Sequence, residues 1–207
     1  MSPRPRLERA VSAVATGPAT GPDGRPRCPW AMATSDYREY HDTEWGVPRH
    51  GAVALFERLS LEAFQSGLSW LTILRKRAAF RRAFAGFDPA VVAAFTDDDV
   101  TRLLADADIV RNRAKIEATV RNARVVTELG EDLDVLLWSF APDPTGRPVP
   151  RTLAEVPTRT GESEAMARAL RRRGLTFVGP TTCYALMQAT GMVDDHLAGC
   201  FRHTTPG

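Results

Sequence analysis

The sequence predicts an all-α protein, and three observations carry that prediction. Apolar residues recur at helical spacing through most of the chain, and cap signals stand where those stretches begin or end. The strict alternation of a half-buried strand is nearly absent. With 207 residues, of which 43% are hydrophobic, the chain fits one domain with a sizeable core.

In chain order, residues 1–27 are rich in Pro, Gly, Arg and Thr without a sustained period, and are expected to form a disordered arm. A single helical domain is expected over residues 28–207. Leu55, Phe56, Leu59, Leu61 and Phe64 outline one helix, and Leu71, Leu74, Ala78 and Phe84 a second. Asp88 followed by Pro89 reads as an N-cap with proline at the first helical position. Thr96 with Asp99 resembles a capping box, and behind it Val100, Leu103, Leu104 and Ala107 keep the i, i+3, i+4, i+7 pattern. Ile116, Val120 and Ala123 continue the theme. The four prolines and the glycine of residues 141–150 mark a loop. A helix over residues 163–173 ends at Gly174, and Gly179-Pro180 opens a last helix through about Ala189.

Composition excludes several classes. The longest apolar runs, such as Val91 to Phe95, are far too short to cross a bilayer, so no membrane partner is expected. The mildly apolar stretch Ala10 to Ala15 is too short for a secretory signal and is abutted by Glu8 and Arg9. Three scattered cysteines (Cys28, Cys183 and Cys200) argue against a disulfide framework and for a reducing, cytoplasmic setting. The formal charge of +2 comes from the arm, where five arginines face two acids; the rest of the chain is slightly acidic. Bulk charge therefore does not mark a nucleic-acid binder, and any DNA contact must rest on local clusters and backbone amides.

Three constellations carry chemistry. Cys28, His41, His196 and Cys200 offer two thiolates and two imidazoles, the donor set of a closed tetrahedral zinc site. His196 and Cys200 lie one helical turn apart, and Cys28 and His41 stand near the start of the domain, so a bound ion would tie the two ends together. The spacing is not that of a zinc finger, and by itself it fits ordinary buried cysteines and surface histidines better than a metal site. Second, Glu62 lies in the segment LEAFQSGLSW, with Tyr37, Tyr40, Trp45 and Trp70 close by in sequence. Aromatic faces with one carboxylate suit a flat cationic ligand; the alternative is core packing around a solvated acid. Third, Arg171, Arg172 and Arg173 precede Gly174, and Phe177-Val178-Gly179-Pro180-Thr181 leads into a helix. A helix, a glycine turn and a second helix can present backbone N–H groups to phosphate, or be an ordinary turn beside solvated arginines. Arg111, Arg113 and Lys115 form a further basic cluster, not separable from a solvated face.

Taken in order, several motifs are similar to the DNA-3-methyladenine glycosylase I family. They are RCPW at 27–30, YREYHDTEWGVP at 37–48, LEAFQSGLSW at 61–70, DIVRNRAKIEATVRNA at 108–123, RRRGLTFVGPTTCYALMQATG at 171–191 and VDDHLAGC at 193–200. Only the arm and the loop at 141–150 fall outside the match.

The resemblance implies the helix-hairpin-helix glycosylase fold, with a structural Zn2+ on Cys28, His41, His196 and Cys200 joining the N- and C-terminal segments. It places the base pocket on Glu62, Tyr40 and Trp70, with Tyr37 and Trp45 nearby, and the catalytic role on Glu62. The implied partner is double-stranded DNA containing alkylated adenine, and a monomer suffices. The implied reaction hydrolyses the glycosidic bond, releasing free base and leaving an abasic site. No Lys matches a nucleophile position, so no Schiff base and no strand cleavage are expected. Two departures stand out. Asp194 replaces a residue that is often Asn in the family, at a place where related glycosylases keep a catalytic aspartate, and Phe64 stands where a polar residue is common. The competing readings are a catalytically silent module that binds alkylation damage and a zinc-dependent hydrolase; four protein ligands would leave the latter no open position for water.

Overall fold

The computed structural model describes residues 17–129 and 132–203. Residues 1–16 of the expected arm lie outside that range. The remainder of the arm is ordered, which corrects the expectation. Ala19–Thr20 (β1) and Pro26–Arg27 (β2) pair antiparallel across a tight turn at Gly24. Arg27 anchors this hairpin: its buried guanidinium donates to Asp23 at 2.6 and 2.7 Å and to Asp42 at 2.8 and 2.9 Å. An apolar-period criterion could not see this, because a charged fork and not a hydrophobic face holds the segment.

The rest is helical among the described residues. A 3-10 turn at Pro29–Met32 leads into α1 (Ser35–Thr43), capped by the Thr34 side chain accepting from Tyr37 N. Helices α2 (Ala52–Gln65) and α3 (Trp70–Ala83) follow, the latter capped by Ser69. The predicted stripe of α2 is buried as expected. That of α3 is buried only at Phe84: Ala78 is exposed and Leu71 and Leu74 are half-buried, while Ile73 and Phe80, outside the predicted stripe, face the core. Leu71 and Leu74 lie one turn apart, but so do the flanking arginines, and the larger rings decided which face turned inward.

Asp88 caps α4 (Pro89–Ala93) by accepting from Ala90 N at 2.9 Å, and Asp99 accepts from Thr96 N at 3.0 Å at the start of α5 (Asp97–Ala105). Helix α6 (Arg113–Glu128) buries Ile116, Val120 and Ala123. The short α7 (Leu133–Trp138) has no counterpart in the sequence reading. After the 141–150 loop come a 3-10 turn at Leu153–Glu155, then α8 (Gly161–Arg172) and α9 (Pro180–Ala189), packed against each other.

Leu55, Phe56, Leu59, Phe80, Leu103, Ile116, Leu137, Leu170 and Leu186, each at most 1% exposed, sit within one hydrophobic core. A smaller apolar cluster of Cys28, Leu197 and Cys200 joins the two ends of the domain. Their close approach depends on two glycines in the left-handed region. A Cβ on Gly46 would lie 2.9 Å from His196 Nε2, and one on Gly191 would lie 2.6 Å from Pro48 N. Between them, Gly46 N donates to Gln188 O and Arg49 N to Thr190 O, stitching the loop after α1 to the end of α9.

Candidate active site and metal centre

A cavity of about 460 Å³ opens between α1, α2, the start of α3 and α9. Trp30, Tyr37, Tyr40, Trp45 and Trp70 form an aromatic wall, with Trp30 set edge-on to Tyr37 and Trp45 at ring separations of 5.7 and 5.1 Å. Helix α1 supplies Tyr37 and Tyr40 from adjacent turns. Tyr37 Oη also accepts from Leu71 N at 3.0 Å, fixing the start of α3 and hence Trp70. The Trp70 indole Nε1–H is buried and has no acceptor within the protein.

Glu62 reaches this cavity from the last full turn of α2, only 5% exposed. Burial pushes its carboxyl up to about 7, and the charge of Arg58 opposes that rise. The backbone just beyond Glu62 is held by Lys115, whose ammonium donates to Phe64 O at 2.8 Å and Ser66 O at 2.5 Å. Lys115 is thus a buried structural cation, while Arg111 and Arg113 are exposed.

The opposite wall escaped the sequence reading. Tyr184 and Gln188, one turn apart on α9, both donate to Asp195 Oδ2, at 2.6 and 2.7 Å. Arg147, reaching in from the 141–150 loop, donates to Asp195 Oδ1 at 2.8 Å and to Tyr184 Oη at 2.7 Å. Asp195 is buried and lines the cavity. Asp194 does not line it; its carboxylate accepts from His196 N at 3.0 Å and lies 3.3 Å from His203 Nδ1. Phe64 also lies away from the cavity, buried against Phe80 and Phe84 with ring separations of 4.6 and 5.8 Å. Trp30 was missed as well. Its place beside Cys28 in RCPW was visible, but no spacing linked it to rings further along the chain.

Next to the aromatic wall, Cys28, His41, His196 and Cys200 converge. All four are buried and their ligand atoms lie within 4.8 Å of one another. Without a cation between them, the contact with Cys200 and burial push Cys28 up, whereas hydrogen bonds from Cys28, His196 and His41 pull Cys200 down. A divalent ion would resolve that asymmetry by taking both as thiolates. Asp42 bonds His41 Nδ1 at 2.8 Å, which turns Nε2 toward the cluster, 3.4 Å from Cys200 Sγ. The residues therefore fit a closed four-ligand metal site. Trp45 stacks edge-on against His196 at 4.6 Å, so the same loop serves both the cluster and the cavity.

Beyond α8 a glycine turn, preceded by three arginines, leads into α9. Arg171, Arg172 and Arg173 are exposed, Gly174 has φ +96°, and Leu175 and Val178 bury beneath the loop. Asn122 of α6 clamps it, donating to Thr176 O at 3.0 Å and accepting from Thr176 N at 2.9 Å. Thr181, at the start of α9, lines the cavity.

Comparison with known proteins decides the lineage. The family model described as Methyladenine glycosylase matches residues 30–203. The chain belongs to the methyladenine glycosylase family.

Within this family, the chain is 46% identical over 177 residues to DNA-3-methyladenine glycosylase 1 of Escherichia coli (strain K12), covering 84% of this chain and 95% of that protein. It is 45% identical over 178 residues to DNA-3-methyladenine glycosylase of Haemophilus influenzae, covering 84% and 96%. A crystal structure of 3-methyladenine DNA glycosylase I, 44% identical, superposes with a TM-score of 0.80 over 86% of this chain and all of that one. A tyrosine-to-phenylalanine variant of a 3-methyladenine DNA glycosylase I, solved in complex with 3-methyladenine, is 32% identical with a TM-score of 0.78, covering 84% and 96%. The methyladenine glycosylase motifs seen in the sequence fall on the two sites described above: YREYHDTEWGVP spans aromatic wall and metal cluster, and LEAFQSGLSW spans Glu62 and Trp70.

Proposed function

We infer that this chain is a DNA-3-methyladenine glycosylase, which hydrolyses the bond between deoxyribose and alkylated adenine in double-stranded DNA. The observation that carries this reading is a buried carboxylate, Glu62, set among aromatic rings in a cavity large enough for a purine. Methylation at N3 makes adenine cationic. Ring faces attract it through stacking and cation–π interaction, and an anionic Glu62 adds a charge that neutral adenine does not reward. The unmet Trp70 N–H offers a donor to a ring acceptor of the base. A flipped nucleotide must leave the duplex, which costs least when the base is damaged. The exposed arginines and the α8–α9 turn are suited to hold the flanking phosphates.

Because the base leaves as a cation, its departure needs no added proton. The C1′–N9 electron pair moves onto the ring and neutralises it, a water oxygen bonds to C1′, and the water proton is lost to solvent. Glu62, the catalytic residue in this reading, orients the base and favours the charge distribution that precedes bond breaking. Tyr37, Tyr40, Trp45 and Trp70 form the binding wall. No lysine lines the cavity among the described residues, so the free base and an abasic site are the products, without a lyase step. The Cys28, His41, His196 and Cys200 cluster is suited to zinc, which when bound supplies a crosslink between the two ends of the domain. A monomer suffices for this chemistry.

Release of 3-methyladenine from methylated DNA, followed chromatographically, tests this reading. Wild type releases the base and Glu62→Ala, folded and metal-loaded, releases it far more slowly. A folded, metal-loaded wild type that binds methylated DNA without releasing base overturns catalysis and leaves a damage-binding module.

A further inference from the structure

Behind the aromatic wall stands a cation that the cavity does not touch. Arg58 is only 7% exposed and lies on α2 one turn before Glu62, so both side chains leave the same face of the helix. Its guanidinium lies 5.4 Å from the Tyr40 ring centroid and 5.5 Å from that of Trp70, and its Nη1 donates to Tyr40 Oη at 3.2 Å. Both rings therefore separate Arg58 from the space where a base would lie, and both are braced by it.

Charges cluster behind the rings. Among the described residues, Arg58 has one ionic partner, Glu44 at 3.5 Å, and Arg77 of α3 already grips both oxygens of that acid at 2.6 and 2.7 Å. Two guanidinium groups thus share one carboxylate, while Arg49 also acts on Glu44 and Glu57 on Arg77, and Arg58 is the charge that acts on Glu62. The cavity walls bring no other charge to Glu62. Helix α1 presents Tyr37 and Tyr40, with burial pushing the Tyr40 hydroxyl upward and so keeping it neutral. Helix α3 presents Trp70 and α2 itself Gln65, both uncharged. From α9 come Tyr184 and Gln188, and Asp195 beyond them is held by Arg147.

We propose that Arg58 is a positioning residue of this site: from behind Tyr40 and Trp70 it braces both rings and supplies the buried positive charge that holds Glu62 as an anion. Arg58 and Glu62 form no direct ion pair, so the carboxylate is kept charged without being occupied, and it stays available to a cationic base. This inference rests on the glycosylase reading for its purpose, but not for its test.

The test is a carboxyl-carbon NMR titration of the full-length, zinc-loaded chain, with the Glu62 signal identified by its loss in Glu62→Gln. Arg58→Met removes the charge, Arg58→Gln removes it while keeping an N–H for Tyr40, and Arg58→Lys retains it. The Glu62 midpoint rises by about one pH unit or more in a folded Met or Gln variant, and stays close to wild type in the Lys variant. Single-turnover excision follows: its acid limb moves up by the same amount, a loss of about tenfold below the midpoint, and recovers at higher pH. An unchanged midpoint in whichever charge-removing variant folds overturns the proposal, as does an equal shift in Arg58→Lys. A wild type that titrates as expected but releases no base removes the glycosylase reading and leaves the role of Arg58 standing.

Discussion

Replacing Glu62 with glutamine should make this protein more stable and less active at the same time. Burial raises the Glu62 carboxyl from an ordinary 4.5 to about 7. A carboxyl raised in this way binds its proton more tightly in the folded chain than in the unfolded one, so folding is favoured below pH 4.5 and loses that contribution as pH rises through about 7. The gap corresponds to about 3 kcal/mol of cost for the ionised form. Glutamine avoids the charge but buries an amide, which removes roughly 1 kcal/mol of that gain. The expected outcome is a stabilisation of about 2 kcal/mol at about pH 8, or roughly 4–8 °C in Tm for a chain of this length, giving way to a destabilisation of about 1 kcal/mol at about pH 4.5. Calorimetry of metal-loaded wild type and Glu62→Gln at both pH values measures it directly, and titrations common to both proteins cancel in the difference. Base release by the variant should fall sharply at each pH. If the stabilities of the two proteins differ by the same amount at both pH values, burial does not raise the Glu62 carboxyl, and the electrostatic argument for cation selection fails with it.

Two further outcomes follow from the same geometry. With free zinc about a thousandfold above its Kd, the ion stabilises the fold by about 4 kcal/mol, so chelation should lower Tm by roughly 8–16 °C and expose Cys28 and Cys200 to thiol reagents; a melt indifferent to chelation would argue against a structural metal. Phe64→Leu should cost about 1–2 kcal/mol in denaturant unfolding, because the ring is fully buried against Phe80, yet leave the preference for 3-methyladenine over adenine unchanged. A shifted preference would place Phe64 in contact with the base.

Local chemistry in the sequence anticipated a good part of the architecture. The Asp88 and Thr96/Asp99 caps formed as read, since a cap needs only neighbours within one turn. The α2 stripe was correct for the same reason. The α3 stripe was correct only at Phe84, because Ile73 and Phe80 compete with Leu71, Leu74 and Ala78, and only the partners opposite decide which set is buried. Residues 17–27 defeated compositional reading altogether: Arg27 finds one partner four residues back and another fifteen residues on.

By itself, the sequence determined the helical class, the residues that could bind a metal and the presence of a carboxylate among aromatic rings, because residue type and short spacing carry that information. Only the tertiary structure decided that Asp195, not Asp194, faces the cavity, that Phe64 does not, and that Arg147, Tyr184 and Gln188 hold Asp195 in place. The physical reason is distance along the chain. A buried charge is held by whatever the fold brings to it, and Arg147 meets Asp195 across 48 residues through a loop that follows no helical period.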